Sequence, residues 1–256
     1  MKIVSHKRYY NSSYAMDPAA SPGRLEGLID LLSSNKEYEF ITPKPASKDD
    51  ILRAHSERHY NYVKRDALLF ELASLAAGGA ILAAEEAFSG NPTFAVIRPP
   101  GHHASADSCW GFCYFNNISI SLLKLFFEGK IKSAFVLDFD LHTGDGNINI
   151  LTFRDDNFRV KILNPDSSGG TGYLKEVQNY MEELDNIDIF VASAGFDQGI
   201  EDWGHLLYPE DYHELGKLMK EFSEKLCHGR RYALLEGGYN HDVLPKNVKS
   251  FCNGFK

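Results

Sequence analysis

The stretch Ser133-Ala134-Phe135-Val136-Leu137-Asp138-Phe139-Asp140-Leu141-His142-Thr143-Gly144-Asp145 decides how this chain is read. Its centre, Phe135-Val136-Leu137, is continuously apolar, the pattern of a strand covered on both faces. Its second half switches to aspartate, histidine and glycine. In parallel sheets covered by helices, ligands bind beyond the carboxyl ends of the strands. A strand that runs into such residues therefore delivers them where a site would lie.

Working outward, strand-like runs rich in β-branched or aromatic residues recur at Lys2–His6, Tyr38–Thr42, Phe94–Arg98, Ser133–Asp140, Val160–Asn164, Ile187–Ala194 and Arg231–Glu236. Helix-like segments separate them, roughly Pro22–Asn35, Lys48–His55, Asp66–Ser89, Asn116–Glu128, Gly172–Leu184 and Pro209–Cys227, several with apolar residues at i, i+3, i+4. Ser47 followed by Asp50 marks one helix start. This alternation predicts an α/β fold with a mostly parallel central sheet. No repeat, low-complexity tract or linker divides residues 1–256, which read as one domain.

Composition fits a globular chain, with 43% hydrophobic and 24% charged residues. The net charge of −8 and the lack of a long Lys/Arg cluster argue against a direct nucleic-acid partner. A cationic small molecule or basic peptide suits that field better. Met1–His6 begins as a strand rather than as an export signal. No apolar segment approaches the ~20 residues of a membrane helix, since Leu75–Ala87 includes Glu85 and Glu86. The expectation is a cytoplasmic protein without a membrane partner. Cys109, Cys113, Cys227 and Cys252 are irregularly spaced and read as free thiols.

Four strands end in chemically capable residues: Phe94–Arg98 in Pro99-Pro100-Gly101-His102-His103, Ser133–Leu137 in Asp138 to Asp145, Ile187–Ala194 in Gly195-Phe196-Asp197, and Arg231–Leu235 in Glu236-Gly237-Gly238-Tyr239. Asp140 and His142 alternate on an extended backbone and face one side. With Asp197 they make a set of two carboxylates and one imidazole, which suits catalytic Zn2+ with an open position. Fe2+ fits as well, because ligand type alone does not fix the metal. Consecutive imidazoles at His102-His103 do not readily share one metal and suit general acid–base work, with Asp138 and Asp145 available to orient them. Tyr239 after two glycines could donate to an oxyanion. Gly111-Phe112-Cys113-Tyr114-Phe115 could be core or could wall a narrow apolar channel.

Together R-P-P-G-H-H-A (Arg98–Ala104), G-F-C-Y-F-N-N (Gly111–Asn117), D-F-D-L-H-T-G-D-G (Asp138–Gly146), S-A-G-F-D (Ser193–Asp197) and E-G-G-Y (Glu236–Tyr239) resemble the histone deacetylase and acetylpolyamine amidohydrolase family. The resemblance implies an arginase/deacetylase-like three-layer α/β/α domain hydrolysing an acylated amine with zinc-activated water. It implies Zn2+ on Asp140, His142 and Asp197, His103 as general base paired to Asp145, and His102 paired to Asp138 as an electrostatic or acid partner. Tyr239 would polarise the acyl carbonyl, Gly111 and Phe112 would line the acyl-lysine tunnel, and K+ would bind near Asp138. Two other functions stand beside this one: an acyl-ligand-binding scaffold without turnover, and a binuclear ureohydrolase.

The chain departs from the family pattern in three places. Thr143 stands where family members usually carry a second histidine. The segment near 153–172 is shortened, which predicts a pocket without its second aromatic wall and puts part of the potassium site in doubt. For the acidic residue that holds a substrate backbone, Asp66 is the only nearby candidate.

Overall fold

Seven short strands pair side by side, every one parallel to its neighbours. They are β1 (Lys2–Val4), β2 (Glu39–Ile41), β3 (Thr93–Ala95), β4 (Ser133–Asp138), β5 (Arg159–Leu163), β6 (Phe190–Ala194) and β7 (Arg231–Leu235). The order across the sheet is β2-β1-β3-β7-β6-β4-β5. The computed structural model describes all 256 residues. Strands β3, β4, β6 and β7 are buried throughout, as their apolar runs require.

Helices cover both faces, giving the three-layer α/β/α architecture. One layer holds α4 (Ala67–Phe88) and α5 (Asn117–Phe127), with α2 (Lys48–Leu52) and α6 (Asp145–Leu151) against α5. The other holds α8 (Pro209–Cys227) and α9 (Leu244–Phe255), flanked by α1 (Glu26–Ser33) and α7 (Gly170–Glu182). Ser47 caps α2 in a reciprocal box with Asp50. The helix expected over Lys48–His55 stops early because Ser56 opens a separate helix, α3 (Glu57–Val63), by accepting from His59 N.

Several expectations need correction. Helix α4 is long and apolar enough to cross a membrane by length and composition, contrary to the sequence reading. Here most of it is buried against β1, β3, β7 and α5. Asp66 is the N-cap of α4, accepting from Leu69 N at 2.9 Å. Helices α6 and α9 went unforeseen: α6 begins inside the glycine-rich end of the β4 motif, and α9 carries Pro245 in its first turn, where proline costs no hydrogen bond. Strand β6 starts at Phe190 rather than Ile187, because Asp188 spends its carboxylate on the N–H groups of Lys132 and Ser133.

Candidate active site

The four strands that end in chemically capable residues, β3, β7, β6 and β4, are consecutive in the sheet. At about 4.8 Å between neighbours, their carboxyl ends share a span of roughly 15 Å. Topology thus assembles residues that lie far apart in the sequence.

Asp140, His142 and Asp197 offer ligand atoms that all lie within 4.8 Å of one another. Asp140 and Asp197 are buried, while His142 is partly open to solvent. Backbone donors aim the carboxylates: Gly237 N donates to Asp140 Oδ2 at 2.8 Å, and Leu141 N to Asp197 Oδ1 at 3.1 Å. Asp197 Oδ2 is buried without a well-formed hydrogen bond, its nearest cation being His142 Nδ1 at 3.3 Å. The hydrogen bond to Asp140 and the adjacent Asp197 carboxylate push His142 up to about 10. Burial and the charge of Asp140 push Asp197 up to about 6. Despite burial, the charge of His102 and hydrogen bonds from His142 and Gly237 hold Asp140 below the usual carboxylate range, so the oxygen left short of positive charge is the buried Oδ2 of Asp197. An open-sided set of two carboxylates and one imidazole in that condition fits a divalent ion.

His102 and His103 are stacked, their ring centroids 4.0 Å apart. His103 Nδ1 lies 2.6 Å from Asp145 Oδ1, and His102 Nδ1 lies 3.3 Å from Asp138 Oδ2. Burial opposes charge on both rings. For His102, Asp140 and Asp138 outweigh burial and hold the imidazole well above its ordinary value. For His103, burial and the neighbouring His102 prevail and hold it below. Environments that push two like groups apart in this way suit one to an acid or electrostatic role and the other to a base.

The loop carrying these imidazoles is braced from three sides. Glu236 Oε2 accepts from Gly101 N and His102 N. Asn116 caps α5 and donates to Ala104 O, while Asn117 donates to Pro99 O. Asn147 on α6 reaches both His102 O and Asp138. Glu236 also forms a second compact donor group with His102 and Cys113, but one of its oxygens is committed to the loop.

Tyr239 is set by partners that the sequence motifs did not reveal. Asp202 accepts from Tyr239 N and Asn240 N, both at 2.8 Å. Buried Arg24 donates to the carbonyls of Gly238 and Glu236 and places its guanidinium 5.4 Å from the Tyr239 ring centre. Burial drives the phenol far above its ordinary value, so it stays protonated as a donor. Residues such as Arg24 and Asp202 act through the backbone of distant segments, so no local spacing announces them.

A cavity of about 320 Å³ joins these groups, lined by His102, His103, Gly111, Phe112, His142, Gly237 and Tyr239 together with Pro100, Trp110 and Trp203. Gly111 and Phe112 both have left-handed backbones, φ 57° and 65°. A Cβ on Gly111 would sit 2.3 Å from His103 Cδ2, so only glycine clears that ring. Neither Trp110 nor Trp203 stood out in the sequence, yet both belong to a series of neighbouring rings. Centroid separations run Phe112–Tyr239 5.8 Å, Tyr239–Trp203 4.1 Å, Trp203–His142 6.4 Å, His142–His103 5.8 Å and His103–Trp110 3.8 Å. No residue of the shortened segment near 153–172 lines the cavity, whose further aromatic lining comes instead from Trp110 and Trp203. A hollow of about 420 Å³ beyond Cys109 contains none of these groups.

With this geometry in place, the comparisons with known proteins are direct. The family model "Histone deacetylase domain" matches residues 67–176 and 157–255, and the chain belongs to that family of deacetylase-type hydrolases. A protein of Methanothermobacter thermautotrophicus described as a probable deacetylase is 32% identical, with 98% of this chain and 90% of the relative covered. A probable deacetylase of Archaeoglobus fulgidus is 29% identical over 95% of this chain and 82% of its own. A histone deacetylase-like amidohydrolase of Pseudomonas aeruginosa is 25% identical, covering 87% and 72%. The crystal structure of the HDA15 HD domain superposes with a TM-score of 0.84 over 99% of this chain and 88% of that one. At 19% identity, that match shows the shared fold alone.

Proposed function

We propose that the protein hydrolyses the amide bond of an acylated amine (an acyl-lysine, an acylated polyamine or a related linear amide) with the help of a zinc ion. The observation that carries this reading is the adjacent pair His102 and His103, each aimed by its own aspartate beside a divalent-type ligand cluster.

Asp140, His142 and Asp197 would hold the ion, with Fe2+ fitting the same donors. A divalent ion there supplies Lewis acidity that makes water nucleophilic at neutral pH and polarises a carbonyl. The residues supply the rest. Neutral His103, oriented by Asp145, takes the proton of the attacking water. Tyr239 donates to the developing oxyanion, and His102, oriented by Asp138, contributes positive charge to the same region. The amine then leaves with the proton that His103 has carried. Gly111 and Phe112 would guide the acyl chain into the cavity. A K+ ion near Asp138 is supported by two buried oxygens without partners, Ser193 Oγ on the neighbouring strand and Asn147 Oδ1. The binuclear ureohydrolase reading loses support because Asp138 and Asp145 face histidines. The net charge of −8 favours an amine or basic peptide over direct nucleic-acid contact, and a cytoplasmic setting remains part of the same proposal.

The test is product release by zinc-loaded protein from a panel of acetyl-lysine peptides, acetylated polyamines and longer acyl-lysines, with Tyr239→Phe as control. Release that disappears in the variant supports the reading and names the substrate class. Tight binding of an acylated ligand without release would replace it with a scaffold role.

A further inference from the structure

Trp110 lies just ahead of Gly111 and lines the cavity, yet 54% of it remains exposed. Two of its contacts exceed what a wall needs. Its indole Nε1–H donates to Asp145 Oδ2 at 2.9 Å, while the other oxygen of that carboxylate meets His103 Nδ1 at 2.6 Å. Its ring lies over His103 with centroids 3.8 Å apart and planes inclined by 31°. His102 also packs against His103, with centroids 4.0 Å apart and planes inclined by 40°.

The consequences follow from geometry. The Asp145 side chain is 41% exposed, and a carboxylate that open, held at one oxygen, is free to turn about its last torsion and to exchange its partner for water. A second donor on the second oxygen fixes its plane, and with it the direction in which His103 is held. The stack fixes the tilt of the imidazole ring. The Cδ2–Nε2 edge lies against Gly111, where an added Cβ would come within 2.3 Å of Cδ2.

Resting on the proposed amide hydrolysis, we infer that Trp110 is a positioning residue: it locks Asp145 and His103 into one rigid acid–base unit in addition to walling the pocket. Trp203 makes the useful contrast. It stacks on Tyr239 at 4.1 Å and lines the same cavity, but its indole N–H makes no bond to Asp145.

The experiment compares wild type, Trp110→Phe, Asp145→Asn and the double variant, all zinc-loaded, on one acyl group carried either by an alkylamine or by a phenol. Phenylalanine keeps a ring over His103 and removes the N–H. Both substrates need His103 to take the proton of the attacking water, but only the alkylamine must also leave with that proton, so a misplaced His103 costs the amide more than the ester. Trp110→Phe should lower kcat for the amide about 10-fold with KM within about 2-fold, and should lower ester turnover far less. In the Asp145→Asn background it should cost nothing further, because Trp110 acts through that carboxylate. Equal losses on amide and ester, an effect confined to KM, or losses that multiply in the double variant would each overturn the inference. A reading without substrate separates it from the proposed function: the low-field proton NMR signal of the His103 Nδ1–H should be sharp in wild type, retained in Trp203→Phe and exchange-broadened in Trp110→Phe. An unchanged signal in Trp110→Phe would overturn the inference even if no substrate were turned over.

Discussion

Tyr239 is buried beside the ligand cluster, and its phenol is held so far above its ordinary value that it takes part only as a donor. Its backbone is tied to Asp202 and its ring to Trp203 and Arg24, so removing one oxygen should leave the loop in place. Tyr239→Phe is therefore expected to lower turnover by on the order of 10²-fold or more with bound zinc unchanged, measured by steady-state kinetics alongside metal analysis. At this scale the sequence was most legible. Asp140, His142, Asp197, His102, His103 and Tyr239 each follow a strand or a glycine turn that marks them. Trp110, Trp203, Asp202 and Arg24 were not legible, because an indole or a guanidinium in a loop carries no spacing signal and their partners come from other segments.

At the scale of the element, the turn after β7 shows how backbone shapes chemistry. A Cβ on Gly237 would lie 2.6 Å from the carboxylates of both Asp140 and Asp197. Gly237→Ala should thus weaken metal binding 10-fold or more by displacing both oxygens, read by zinc competition with a chelator, while the circular dichroism spectrum stays native. Farther away, His55 bridges the end of α2 and the start of α5, meeting Ser105 O and accepting from Asn116 N. Burial, reinforced by neighbouring His59, lowers it to about 3. Between there and its ordinary 6.5 the unfolded chain binds the extra proton, so this residue's contribution to stability is lost as pH falls through that window. Glu236, pushed up to about 7 by burial, acts with the opposite sign, so the test is a difference. The stability gap between wild type and His55→Gln should shrink or reverse on acidification by about 1.4 kcal/mol per pH unit at most, and a constant gap in urea melts from pH 7 to 4 would contradict it. Element boundaries were less legible than the residues. Apolar periodicity located β4 and α4 well, but it could not tell the lead-in Ile187–Ile189 from paired strand, nor see α9, whose Pro245 and Gly254 mask its helical pattern.

Across the whole molecule, the parallel order β3-β7-β6-β4 makes one site from the ends of four strands. The alternation of strand and helix in the sequence already implied that sheet, whereas the order of its strands depends on long-range packing that no local pattern records. An ion that binds only the folded chain should also stabilise it, linking the ligand cluster to the fold. The measurement that bears most directly on the central claim is therefore a zinc titration of metal-free protein, following amine release from the best acylated substrate of the panel. Release should rise linearly and saturate at one ion per chain, melting temperature should rise in parallel, and Asp197→Ala should show neither effect at the same zinc concentrations. Saturation at two ions, or amine release that Asp197→Ala retains in full without bound zinc, would contradict it.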